Sequence, residues 1–134
     1  MDKRSILAIE KIITYITELK IMTKRRNDSY FYDGFEMPIL CDLVDEIDKN
    51  ISKINSKIKD KYNNINWDVI NSKKEDDNGI KILKLRKIWD LASGILENEL
   101  LENLNKILEI ELPTYYMNYC NNRHIKANKG KNRK

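Results

Sequence analysis

Residues 65–89 read INWDVINSKKEDDNGIKILKLRKIW, and the architecture turns on how this stretch divides. Trp67, Asp68, Val69 and Ile70 follow Asn66, a residue type that caps helical starts, with Asn63 and Asn64 as turn residues before it. Ser72 to Gly79 then carries no apolar side chain. Ser72 and Glu75 have capping-box spacing and Asn78-Gly79 is a turn or helix-stop signal, so the segment predicts an exposed helical turn and loop between two bundle helices. From Ile80 the apolar period resumes through Leu85, Ile88, Trp89, Ala92, Ile95, Leu96, Leu100, Leu104, Ile107 and Leu108, which predicts the longest helix of the chain. Ser93-Gly94 marks a kink within it, and Leu112-Pro113 its end, because the residue before proline avoids the helical region.

Working outward, residues 5–24 place Ile6, Ile9, Ile13, Ile16 and Leu19 at steps of three and four, one face of an amphipathic helix with Ser5 as its N-cap. A second helix begins near Pro38, and its stripe Leu40, Val44, Ile47, Ile51, Ile54 and Ile58 alternates steps of four and three over about five turns. Such a seam serves either a core or a dimer contact. Acids lead this helix and lysines close it, in the order that complements the helix dipole. Between the two helices RRNDSYFYDGF, residues 25–35, is a loop whose four aromatics plug one bundle end or a dimer contact. The alternative is stacking on bases, with Arg25 and Arg26 on phosphates. Thr114 to Cys120 adds a short last helix. The reading is all-α: an antiparallel four-helix-bundle-like domain over residues 1–120, with three long helices plus short ones.

The 134 residues suit one domain, and 34% charged residues with only four Gly and two Pro suit long helices. Of the net charge of +4, Arg123, Lys126, Lys129, Lys131, Arg133 and Lys134 contribute six with no acid beside them, which leaves residues 1–120 at −2. Residues 121–134 are thus a basic tail, expected to be disordered from about 125. Cys41 and Cys120 form no CxxC and there is a single histidine, so no metal site and no cofactor are expected, and the thiols suit a reducing cytoplasm. No stretch approaches the ~18 apolar residues of a membrane span.

Tyr62, Ile65, Trp67 and Trp89 stand at spacings that resemble the HepT-like branch of the HEPN domains, small helical bundles that often act as toxin ribonucleases. The resemblance implies a homodimer, with RNA or a nucleotidyltransferase-like antitoxin as partner. It also implies an arginine with a histidine four to six residues later on one helical face, one steadying phosphate charge and the other moving the 2′-hydroxyl proton. By register from Trp67 the arginine falls on Lys74, its neighbour on Glu75 and the histidine near Gly79. A tyrosine that some members have modified by the partner falls on about Lys81, and a small-residue patch of the second helix on Asp48, Lys49 and Asn50. The chain thus departs from the family at each functional position. No catalytic residue is expected; Lys73, Lys74, Arg123 and His124 are the candidate RNA contacts. The reading is a catalytically degenerate HEPN-like protein acting through dimerisation and protein or RNA binding in a toxin–antitoxin or defence setting. Two alternatives stand beside it: an active ribonuclease using Lys74 or the Arg123-His124 pair, and a helical adaptor whose basic tail binds nucleic acid with strong salt dependence.

Overall fold

The first helix, α1 (Lys3–Lys24), buries Ile6, Ala8, Ile9, Ile12, Ile16 and Leu19 along one side, as its three-and-four spacing dictates. It belongs to a computed structural model that describes residues 1–24, 36–115 and 117. The aromatic loop and the basic tail, with Arg123 and His124, lie outside the described residues. Ser5 is not a cap. The helix starts before it, and its buried hydroxyl accepts the Asn55 N–H at 2.9 Å.

That contact bears on the second helix, α2 (Met37–Ser52), which has Pro38 in its first turn. The seam predicted one helix through Ile58, but α2 stops at Ser52 and α3 (Ser56–Lys61) restarts from an Asn55 cap whose Oδ1 accepts the Lys57 N–H at 2.8 Å. The cap offers the backbone a non-helical partner, and the Lys53 and Ile54 N–H groups tighten onto the Asn50 and Ile51 carbonyls. The turn keeps every seam residue inside. Leu40, Val44, Ile47, Ile51, Ile54 and Ile58 are all at most 8% exposed within the single chain, so these side chains form its own core.

The predicted turn and loop at 72–79 is instead a β-hairpin. β1 (Glu75–Asp77) pairs antiparallel with β2 (Ile80–Ile82) in the register Glu75↔Ile82, Asp76↔Lys81, Asp77↔Ile80. Asn78 and Gly79 adopt φ of +53° and +85°, the left-handed pair that a two-residue hairpin turn requires. Ser72 caps nothing ahead of it and donates to the Val69 carbonyl at 3.1 Å.

The long helix therefore begins at Leu85, not Ile80: α4 (Leu85–Asp90) continues through two π-helical turns, Leu91–Ile95 and Glu97–Leu101, into α5 (102–115). Its buried residues explain the wider turns. Among them, beside Leu91 and Ile107, Ile88, Ala92, Leu96, Leu100 and Leu104 recur every four residues, a stripe that would wind about 160° around an α-helix. The π turns, with Leu96 N–H bonded to the Leu91 carbonyl five residues back, bring that stripe towards one side. Ser93-Gly94 lies in the first of them.

Pro113 does not end the helix, which runs on to residue 115. Glu111 holds this last turn, because its carboxylate accepts from Lys61 Nζ at 2.6 Å and Tyr62 Oη at 2.7 Å. Lys20 pairs with Glu97 near the other end at 2.9 Å, whereas Ser5 meets Asn55 at the start of α3, whose last residue Lys61 reaches Glu111, so α1 runs antiparallel to the long helix. The fold is an all-α bundle of α1, α2 and the long helix, with α3 and the hairpin as the connection between the last two. No helix among the described residues is long and apolar enough to cross a membrane.

Candidate functional site

Two positions singled out in the sequence, 26 residues apart, meet where the hairpin leaves α2. Lys74 Nζ reaches Asp48 Oδ2 at 2.8 Å, with the two side chains 24% and 22% exposed. Lys74 sits there because the tight turn Asn71–Lys73 ends in extended backbone at Lys74, the residue just before β1. Asp48 sits there because its neighbours Ile47 and Ile51 face the core, which turns it to the flank of the helix.

The rest of the 48–50 patch diverges. Lys49 points to water and pairs with Asp45 at 3.1 Å and Glu46 at 3.6 Å. Asn50 turns inward, donates Nδ2 to the Glu46 carbonyl at 2.8 Å, and leaves its buried Oδ1 without a hydrogen-bond partner.

Asp48 separates two grooves. On the hairpin side Cys41, Asp45, Lys74, Lys81 and Ile82 line a space of about 300 Å³. Burial first, and then Asp42, raise the Cys41 thiol above its ordinary value, so it stays protonated at neutral pH. On the other side Trp67, Lys59, Asp68 and Asn71 line a smaller groove of about 230 Å³. Trp67 donates its indole N–H to the Tyr62 carbonyl at 3.1 Å, which fixes the plane of the ring.

The hairpin acids separate. Glu75 and Asp77 share one face of the strand and Asp76 takes the other. Glu75 pairs with Lys84 at 2.8 Å, and that hydrogen bond, then the lysine's charge, lowers its carboxyl below the usual value. No group of three or more His, Cys, Asp or Glu side chains able to hold a metal occurs among the described residues. Lys73 is half-buried beside Lys74 in the turn before β1. Gly79, the position that the family register gives to the histidine, lies at the hairpin tip, and Lys81 follows on β2. Residues 74 and 79 therefore do not share a helical face.

Sequence reasoning missed the Trp67 groove, the Asp48 partner of Lys74 and the Glu111–Lys61–Tyr62 cluster. Only Asn78-Gly79 before the alternating Ile80-Lys81-Ile82 carried a local signal, that of a hairpin. Comparison with family models, with curated proteins and with solved structures finds no significant match of any kind.

Proposed function

We propose that this chain is a HEPN-like helical protein without ribonuclease chemistry, which works as a dimer and by binding, with RNA or a nucleotidyltransferase-like antitoxin as partner. The observation that best supports the absence of ribonuclease chemistry is the Lys74–Asp48 pair. The only cation at the position of the family's arginine is tied to an aspartate 2.8 Å away, and a lysine lacks the planar fork that grips a phosphate bidentately. The strand geometry of residues 75–82 adds to it, since an acid–base pair spaced for one helical turn is split by the hairpin.

The test is incubation of the purified chain with a mixed RNA pool, beside Lys74→Ala, His124→Ala and a truncation at Asn121. The expected result is intact RNA with folded wild type. Cleavage by wild type that either point variant abolishes would overturn the reading and restore the ribonuclease. Light scattering of the same samples is expected to give twice the mass of the chain, and a monomeric mass would remove the dimer from the proposal.

A further inference from the structure

We infer that the Trp67 groove takes a guanine base, presented by a guanine nucleotide or by single-stranded RNA. The groove's volume of about 230 Å³ lies below the ~300–1,000 Å³ of drug-sized ligand sites, which leaves room for one flat ring system. Trp67 is partly exposed, packs in part against the core and is tied by its N–H to the Tyr62 carbonyl, so the side of the indole that lines the groove is held for stacking. Stacking alone accepts any base.

Selectivity comes from Asp68, the next residue in the groove. Its carboxylate is exposed and only accepts hydrogen bonds. Guanine is the one base whose Watson–Crick edge sets two N–H donors, N1–H and the 2-amino group, side by side, as a carboxylate needs. Adenine and cytosine place a ring acceptor beside their amine, and uracil flanks its single N–H with carbonyls; each sets a lone pair against the carboxylate. Lys59 and the Asn71 amide supply donors on the same groove for guanine O6.

Charge points the same way. Asp48 is neutralised by Lys74, so among the described residues of the groove Lys59 and Asp68 balance in charge. The groove reads a base edge, which is the contact that carries sequence information.

This inference deepens the binding reading above and rests on it for an RNA partner. Its test uses the wild-type chain, whose two tryptophans give two indole N–H resonances, with Trp67→Phe to assign them. Addition of GMP is expected to shift the Trp67 signal saturably and leave that of Trp89 in place. AMP should bind about tenfold more weakly, and Asp68→Asn, an exposed change, should remove the preference. A single-stranded RNA tetramer with one guanosine that binds more tightly than GMP identifies the strand as the source; equal or weaker binding identifies the free nucleotide. An unmoved Trp67 signal, an equal response to AMP, or an unchanged preference in Asp68→Asn overturns the proposal. RNA cleavage by wild type would fail the binding reading and leave the Trp67 result standing, so the two failures are distinguishable.

Discussion

Ile54 and Ile58 at the end of the seam are 4% and 8% exposed, whereas Ile80 on the hairpin is 66% exposed and Ile82 36%. The residue type is the same and the spacing differs. Steps of three and four deliver side chains to one stripe that two neighbouring helices cover, even across the break at Ser52. Steps of two deliver them to one face of a two-stranded ribbon, too small to build a core of its own. In this chain spacing, more than hydrophobicity, decides what is buried.

The sharpest way to break that contrast is at the seam. Ile47→Ala, at a fully buried position, is expected to cost about 2–5 kcal/mol in urea unfolding, and a change below 1 kcal/mol would deny the seam its core role. Next is the polar clasp of Lys61 and Tyr62 on Glu111, just past the seam's last residue. Glu111→Gln removes the charged acceptor of Lys61 and Tyr62 and should lower stability at neutral pH by less than Ile47→Ala does.

The clasp also has a pH signature. The Lys61 hydrogen bond, then that of Tyr62, holds the Glu111 carboxyl below its usual value against the opposing effect of burial. A depressed carboxyl contributes stability that is complete above the ordinary glutamate range, about pH 4.3, and is lost as pH falls through its lower folded value. The acid limb of the stability profile should therefore flatten in Glu111→Gln; an unchanged limb would show that the clasp contributes nothing.

Smaller effects are expected on the hairpin. Gly79→Ala meets no atom within 4 Å, so its cost of about 1 kcal/mol is that of the left-handed backbone alone. It should speed amide exchange in Ile80–Ile82 and leave protection in α1 unchanged; equal loss in both would join the hairpin to the cooperative core. Least of all, Ile80→Ser should stay within about 0.5 kcal/mol of wild type. A larger loss would mean that this exposed side chain has a covered role.

Much of the bundle was legible because helical burial writes itself into spacing, as Ile9, Ile16 and Leu19 on α1 and Leu40 to Ile51 on α2 do. What stayed hidden depends on competition between local partners. Ile54 and Ile58 keep the helical period while Asn55 and the distant Ser5 hydroxyl break the helix between them, and no window of sequence contains both groups. The hairpin was masked by its own charge: Glu75, Asp76 and Asp77 read as a solvated turn, although Asn78-Gly79 named the turn type. Of the candidate site, Lys74 was legible as a position. Its partner Asp48 was not, since a contact 26 residues away is a property of the assembled fold.

The two π-helical turns carry a consequence for how this gene tolerates change. An ordinary helix that loses one residue rotates everything beyond the loss by about 100° and carries Leu104, Ile107 and Glu111 off their partners. Between Leu91 and Leu101 the helix already holds more chain per turn than α-winding needs. A one-codon deletion there, at exposed Ser93 or Asn98, is expected to be absorbed as a wide turn relaxes to a normal one, which keeps the frame of the helix beyond it. The same deletion at Glu102, one step past the last wide turn, has no such slack to draw on.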